Sequence, residues 1–322
     1  MRSNSCSQTR NWRFFRFVYK PRRMNEMTLR RFAIIAALVG VCAYAFAQAE
    51  QNAIPPGCKT ISDVVYGKVG TRELHLDIVI PNDATDKPHP CVVWIHGGGW
   101  SKGSHKQNRA AWLAGKGYVV ASVEYRLTGE AVFPAQITDC KAAIRYLRAH
   151  AKDYGIDPKR IGAWGSSAGG HLVALLGTTG GVKELEGNAG NPAQSSAVQA
   201  VCDFFGPTNL TIDMRADPPA AVAALLGGSP KDKPELAKLA SPVKFVDPKD
   251  PPFLIVHGEQ DKVVPISQSE QLYEALKKAG VDVTFVRVKN AGHGFTPVGM
   301  APHLDEINAQ VLAFFDKQLK KK

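Results

Sequence analysis

The sequence predicts an α/β protein in which a mostly parallel sheet of eight strands carries helices on both faces. The first observation is an alternation along the chain, where short runs rich in β-branched and aromatic residues are separated by stretches with helical periodicity. The second is composition, because 44% hydrophobic and 21% charged residues among 322 are typical of a soluble globular protein. Disordered, collagen-like, coiled-coil and multi-span membrane proteins are thereby excluded.

The predicted elements open with a hairpin, since residues 63–69 and 73–80 alternate apolar and polar side chains around Gly70 and Thr71. The elements that follow are strand 91–96, helix 106–115, strand 118–124, helix 135–153, strand 160–164, helix 168–177, strands 197–205 and 252–257, helix 266–279, strand 282–288 and helix 302–319. Two segments interrupt the alternation. One is the glycine-rich loop 178–196; the other is the stretch 207–251, whose prolines and short helical pieces predict a small cap over the carboxyl edge of the sheet.

The first 47 residues have the features of an export signal. Arg30 and Arg31 precede an apolar run over residues 33–47, which closes on Ala45 and Ala47 in the small-x-small pattern of a secretory cleavage site. The run of 15 residues is shorter than the ~20 needed to span a bilayer. We therefore predict a signal peptide cut after Ala47, export to the periplasm or beyond, and one domain over 48–322. An uncleaved anchor is the alternative.

The net charge of +11 belongs mainly to this leader. Nine of the 40 basic residues and one of the 29 acidic residues lie in residues 1–47, which leaves 31 basic and 28 acidic residues for the rest. A domain so nearly balanced gives no support to a basic nucleic-acid-binding face. The four cysteines beyond the leader have no metal-ligand spacing, and their pairing stays open; they are Cys58, Cys91, Cys140 and Cys202.

A candidate nucleophile lies in residues 165–169 (GSSAG), a G-x-S-x-G pattern between a predicted strand and a predicted helix. About 0.12 occurrences of this pattern are expected by chance in a chain of this composition. Its position between a strand and a helix is therefore what makes it informative. The register selects Ser167, because centring on Ser166 would put Trp164 where a glycine is required. A glycine-rich turn without chemistry is the alternative.

The sequence HGGGW at residues 96–100 ends the predicted strand 91–96, and an HGGG run is expected only about 0.007 times by chance. Consecutive glycines let backbone N–H groups face a cavity that side chains would block, which suits an oxyanion hole. The predicted donors are Gly98 and Gly99, with Gly97 as a further candidate, joined by the N–H of Ala168. A phosphate-binding loop is less consistent, because no Lys-Ser/Thr continuation follows.

A serine nucleophile needs a base and a carboxylate that orients the base. Among nine histidines we select His293, which lies between glycines in the loop after the last predicted strand; His303, at the start of the final helix, is its rival. Asp261 and Glu259 both follow strand 252–257. We favour Asp261 because it lies further into the loop, directly before the apolar residues 263–265 that would bury it.

These motifs resemble those of α/β-hydrolases of the HGGG-containing carboxylesterase group, close to hormone-sensitive-lipase-like esterases and bacterial feruloyl and acetylxylan esterase-like proteins. The order Ser, Asp, His is that of α/β-hydrolases and not of chymotrypsin or subtilisin. The resemblance runs from about Val64 to Leu319, and its further motifs are residues 124–127 (EYRL), 133–135 (FPA) with Asp139, 165–171 (GSSAGGH), 205–207 (FGP), 257–265 (HGEQDKVVP) and 291–295 (AGHGF). It implies that Arg126 and Asp139 brace the loop under the HGGG turn.

The resemblance implies a serine-dependent carboxylic ester hydrolase that acts on short acyl or hydroxycinnamoyl esters, including those of plant-type carbohydrates. The cap of 207–251 is short and contains Phe245 as its only aromatic residue, which favours a small pocket. An exported amidase or peptidase of the same fold, or a non-catalytic binding protein, is the alternative. No metal, organic cofactor, nucleic acid or membrane span after signal cleavage is expected.

Overall fold

The computed structural model describes residues 54–84, 87–212, 219–295 and 299–320. Its strands are β1 (Cys58–Val69), β2 (Arg72–Pro81), β3 (His89–Ile95), β4 (Val119–Val123), β5 (Ile156–Ser166), β6 (Ala200–Phe204), β7 (Phe253–Gly258) and β8 (Val283–Val288). Its α-helices are α1 (Ala135–Ala149), α2 (Ala168–Thr178), α3 (Lys183–Glu186), α4 (Pro219–Leu226), α5 (Pro234–Leu239), α6 (Ser267–Ala279) and α7 (Leu304–Leu319). Short 3₁₀-helices cover Ala111–Lys116 and Pro242–Lys244.

The eight strands form one sheet in the order β1-β2-β4-β3-β5-β6-β7-β8. Strand β2 pairs antiparallel with β1 and with β4, whereas every pairing from β4 to β8 is parallel. The opening hairpin turns at residues 70–71, where Val69 pairs with Arg72. The predicted fold class, a mostly parallel eight-stranded sheet, is confirmed.

Side chains alternate between two cores on the two faces of the sheet. In β3, Cys91, Val93 and Ile95 join the core that includes α1, α2 and α6. Val92 and Trp94 point to the opposite core, which is closed by α7 and the 3₁₀-helix Ala111–Lys116. Because both faces are covered, the central strands are apolar throughout, as parallel strands are when helices pack on both sides.

The predicted helix over 106–115 is wrong, because only the 3₁₀-helix Ala111–Lys116 forms there. Gln107 donates its N–H to the Ser104 carbonyl in a tight turn, at 3.1 Å. Asn108 then accepts the Ala110 N–H on its own side-chain oxygen, at 3.2 Å. A short polar side chain of this kind competes with helical hydrogen bonds, so the helix starts late.

The cap segment 207–251 is described except for residues 213–218, and it holds α4, α5 and the 3₁₀-helix Pro242–Lys244. The carbonyl of Leu225 in α4 accepts the N–H of Phe133, at 2.8 Å. Ala240, directly after α5, accepts a hydrogen bond from the His171 ring in α2, at 2.7 Å. These hydrogen bonds join the described part of 207–251 to the segment before α1 and to α2, and its role as a cap over the carboxyl edge stays a prediction.

The predicted signal peptide lies outside the described residues. Within the part of the chain that the structure describes, no helix is both long enough and apolar enough to cross a bilayer. The described residues belong to one compact unit, Gln48–Lys322. Cys58, Cys91, Cys140 and Cys202 are free thiols.

Candidate active site

The carboxyl ends of parallel strands bring four distant segments to one edge of the sheet. Ser167 directly follows β5, and the glycines 97–99 follow β3. Asp261 follows β7 and His293 follows β8. Since parallel strands all end at the same edge, side chains in these loops converge there.

Ser167 occupies a sharp turn between β5 and α2. Its backbone has φ 55° and ψ −119°, a region that residues with side chains rarely adopt. Its N–H donates to the carbonyl of Phe204 at 2.8 Å, which ties the turn to the neighbouring strand β6. A strained strand-turn-helix of this kind is a nucleophile elbow, which exposes the serine hydroxyl above the sheet. Ser166, by contrast, ends β5 with its side chain buried.

The glycines on either side of Ser167 are required by close packing. A Cβ on Gly165 would overlap the carbonyl oxygen of Gly169, and a Cβ on Gly169 would overlap the carbonyl oxygen of Ile95. Helix α2 therefore packs so closely against β3 and β5 that their backbone atoms are in contact. This packing fixes Ser167 as the residue at the tip of the turn.

Ser167, His293 and Asp261 form a continuous hydrogen-bonded chain. The Ser167 Oγ lies 3.0 Å from His293 Nε2, and His293 Nδ1 lies 2.7 Å from Asp261 Oδ2. Because a carboxylate only accepts, Nδ1 carries the proton and Nε2 can accept the serine proton. The side chain of Asp261 is fully buried, while that of His293 remains 23% exposed.

The Asp261 carboxylate is held in its charged form. Its Oδ1 accepts the N–H groups of Val263 and Val264, at 2.8 and 2.9 Å. Burial by itself raises the pKa of Asp261, but hydrogen bonds from His257 and His293, the charge of His293 and the Val264 N–H hold that pKa well below its usual range. A carboxylate charged at every working pH fixes the tautomer of its histidine partner.

His257, which lies in β7, is a second histidine in contact with Asp261, and the sequence motifs do not indicate this contact. Its Nε2 lies 2.8 Å from the Val264 carbonyl and 3.3 Å from Asp261 Oδ2. Its Nδ1 lies 2.7 Å from Ser269 Oγ. The proton is therefore on Nε2, and the fully buried ring lies against the same carboxylate oxygen that His293 contacts.

The glycine loop that carries two of the predicted oxyanion donors passes beside the nucleophile. Gly98 and Gly99 have φ of 112° and 58°. A Cβ on Gly97 would lie 3.4 Å from Ser167 Cβ, so the glycine loop passes directly against the elbow. Ala168 begins α2, and the N–H of a first helical residue has no partner within the helix. The assignment of the Gly98, Gly99 and Ala168 N–H groups as oxyanion donors stays a prediction.

The segment after β4 supports the glycine loop. The Tyr125 hydroxyl donates to the carbonyl of His96, at 3.0 Å. Arg126 donates through Nε to Asp139 Oδ2 at 2.8 Å and through Nη2 to Oδ1 at 2.7 Å, so the pair is bidentate. Asp139 is fully buried, and such a paired charge holds the segment against α1.

The two rival residues lie elsewhere. Glu259 is exposed and is not the carboxylate against His293. His303 is exposed at the start of α7, where its side chain accepts a backbone N–H of the first turn and its own N–H donates to Glu306 at 2.7 Å. His303 thus caps a helix, and the imidazole in contact with Ser167 is that of His293.

Among the described residues, Asp63, Asp77 and His105 bring three potential metal ligands within 4.8 Å of one another. Lys106 Nζ lies 2.8 Å from Asp63 and 2.9 Å from Asp77. Hydrogen bonds from Lys106 and His105 lower the pKa of Asp63 to about 2. This cluster is a salt-bridge network built around the lysine ammonium.

A Ser-His-Asp chain at the carboxyl edge of an α/β sheet, with a glycine loop beside the serine, defines an α/β-hydrolase with a serine active site. The chain belongs to the BD-FAE family, whose sequence model matches residues 76–276. The resemblance to the HGGG-containing carboxylesterase group is thereby confirmed.

Curated relatives and solved structures agree with this family. Esterase LipQ of Mycobacterium tuberculosis is 34% identical over 243 residues, which cover 73% of this chain and 57% of LipQ. The chain thus spans little more than half the length of that relative. A truncated form of a carbohydrate esterase from gut microbiota is 34% identical, with a TM-score of 0.73 over 82% of this chain and 97% of that one.

A further structural relative is esterase 2 of Thermogutta terrifontis, Est2. Its butyrate-bound structure is 30% identical, with a TM-score of 0.67 over 83% of this chain and 97% of Est2. The same esterase has been solved with propionate bound and phosphorylated by paraoxon.

Proposed function

We propose that the protein is an exported carboxylesterase that hydrolyses esters of short acyl or hydroxycinnamoyl groups, including those on plant-type carbohydrates. The observation that carries the proposal is the chain from Ser167 Oγ through His293 to the buried Asp261, at 3.0 and 2.7 Å. The relatives named esterase and carbohydrate esterase support ester substrates, and the propionate- and butyrate-bound Est2 structures support short acyl groups.

The reaction proceeds through an acyl-enzyme. Ser167 Oγ attacks the ester carbonyl carbon while His293 Nε2 takes the hydroxyl proton, and the N–H groups of Gly98, Gly99 and Ala168 stabilise the oxyanion. His293 then gives the proton to the leaving alcohol as the C–O bond breaks. Water repeats the sequence on the acyl-enzyme, which releases the acid and restores Ser167.

An apolar wall beside the histidine protects this chemistry from solvent. The ring of Phe205 contacts the His293 imidazole with centroids 4.6 Å apart, and Phe295 packs on Phe205 at 4.9 Å. Excluding water there strengthens the hydrogen bonds on which proton transfer depends.

The deciding assay compares p-nitrophenyl acetate with p-nitroacetanilide, using Ser167→Ala as the control for background hydrolysis. We expect turnover of the ester that is lost in the variant. Acetylated xylan and methyl ferulate then distinguish acetyl from hydroxycinnamoyl specificity. Faster cleavage of the anilide would favour the amidase or peptidase alternative, and no turnover of either substrate would favour a binding protein.

A further inference from the structure

His171 lies in α2 four residues after Ser167, and its imidazole is fully buried. Its Nδ1 lies 3.2 Å from Trp100 Nε1, in the glycine loop, and its Nε2 lies 2.7 Å from the carbonyl of Ala240, in the cap. An indole N–H only donates and a carbonyl only accepts, so the ring is neutral with its proton on Nε2. Each nitrogen therefore holds a different segment.

The hydrogen bond between Trp100 and His171 holds a part of the glycine loop whose backbone conformation is strained. Trp100 has φ 56°, directly after two glycines that also have positive φ. Residues with side chains adopt this conformation only where the surroundings hold them. The Trp100 indole is buried and meets the His171 ring edge to face, with centroids 5.2 Å apart.

The Ala240 end joins the cap to the same helix. Ala240 follows α5, and the next residue, Ser241, accepts the Leu210 N–H on its hydroxyl at 2.8 Å. The cap also approaches the glycine loop directly, because a Cβ on Gly99 would lie 3.7 Å from the Ala221 Cβ in α4. The loop, the cap and the elbow helix thus share His171 as a common support.

We propose that His171 is a positioning residue, which aims the oxyanion donors of the glycine loop through Trp100 and sets the cap over Ser167 through Ala240. The inference rests on the proposed acyl transfer at Ser167. Oxyanion stabilisation depends on donors placed within a fraction of an ångström, and a misplacement of 1 Å can cost about 100-fold in rate.

Two substitutions separate the two bonds. In His171→Gln the amide nitrogen can take the place of Nε2 and donate to Ala240, but the bond from Trp100 is lost. In His171→Asn the amide oxygen can take the place of Nδ1 and accept from Trp100, but the bond to the cap is lost. Trp100→Phe removes the indole donor from the other side.

We expect His171→Gln and Trp100→Phe each to lower kcat on p-nitrophenyl acetate by roughly 10- to 100-fold with little change in KM. The double variant should be no slower than the slower single variant, because both remove one bond. His171→Asn should lose less kcat than His171→Gln and should raise KM instead. His150→Gln, the same exchange at an exposed histidine, is the matched control.

Two readouts distinguish positioning from simple loss of folding. Each kcat is divided by the active sites titrated with paraoxon, so that misfolded protein does not count. The inhibition constant of a trifluoromethyl ketone, whose adduct on Ser167 carries the oxyanion, should rise by the same factor as kcat falls. Three results would overturn the positioning role of His171 and leave the proposed function standing. They are additive losses in the double variant, an unchanged inhibition constant, and a normal kcat per titrated site in both single variants. If His171→Gln does not fold, the same readouts on Trp100→Phe decide the question. A wild type without esterase activity would overturn the proposed function as well.

Discussion

The backbone conformation of Ser167 supports this residue, and not Ser166, as the nucleophile of the proposed reaction. Its positive φ puts the hydroxyl at the tip of the elbow, while Ser166 is buried at the end of β5. We predict that Ser167→Ala lowers kcat by about 10⁴- to 10⁶-fold, because only the oxyanion donors and substrate binding remain. Ser166→Ala should keep most of the activity. Equal losses in both variants, measured on p-nitrophenyl acetate, would contradict the assigned register.

The orienting carboxylate gives a second test at the residue scale. Asp261→Asn keeps the shape of the side chain but removes the charge that selects the His293 tautomer, so we predict a folded protein about 10⁴-fold slower. Glu259→Gln, two residues earlier on the exposed surface, is the matched control and should retain activity. Circular dichroism checks folding. If Glu259→Gln proved the damaging change, the carboxylate would have been misassigned.

At the scale of single elements, periodicity predicted the order and type of the eight described strands. The opening hairpin alternates apolar and polar side chains, and the central strands, buried on both faces, are continuous apolar runs. The helix predicted over 106–115 failed because the turn at Ser104 and the Asn108 side chain capture backbone groups locally, which periodicity does not report. The loop ends carrying Ser167, Asp261 and His293 could be predicted, since parallel strands end together. The contacts of His171 could not be predicted, because they join segments distant in sequence. Those of His257 could not be predicted, because they depend on how the loop after β7 folds back on that strand, which periodicity does not report.

The end of β6 carries a buried acid that makes stability depend on pH. Asp203 is fully buried, and its Oδ1 accepts the Gly206 N–H at 2.9 Å. Burial raises the pKa of Asp203 to about 6, against the opposing effects of the Gly206 hydrogen bond and of His257. In the unfolded chain an aspartate has a pKa of about 3.9. Between these values the folded state binds more protons, so the free energy of unfolding falls as pH rises.

Asp203→Asn should remove this pH dependence. We predict that, relative to the variant, the wild type loses on the order of 2 to 3 kcal/mol of unfolding free energy between pH 4 and pH 7, with no further change above pH 7. Urea unfolding of both proteins across this range gives the difference. If the unfolding free energies of the two proteins changed in parallel with pH, Asp203 would titrate normally in the folded protein.

At the scale of the whole chain, the leader makes a prediction about the mature protein. Signal peptidase requires small residues at the positions that Ala45 and Ala47 occupy, so exported protein should begin at Gln48. Mass spectrometry of the protein from the periplasm or medium measures this N-terminus. Ala47→Leu should block the cut. Retention of residues 33–47 by the wild type would favour an uncleaved anchor.

The size of the cap leads to a prediction about acyl-chain length. A lipase that binds long chains needs a broad apolar cover, because each buried CH₂ contributes only about 0.8 kcal/mol. Across 207–251 the only aromatic residue is Phe245, and the described helices α4 and α5 are short, at 8 and 6 residues. Helix α4 lies against the glycine loop, because a Cβ on Gly99 would be 3.7 Å from the Ala221 Cβ. The small pocket that such a cap predicts would reject each additional methylene by about 1 to 3 kcal/mol. We therefore expect kcat/KM for p-nitrophenyl esters to fall steeply when the acyl chain exceeds about four carbons. A maximum of kcat/KM at acyl chains of about ten carbons or more would assign the protein to the lipases instead.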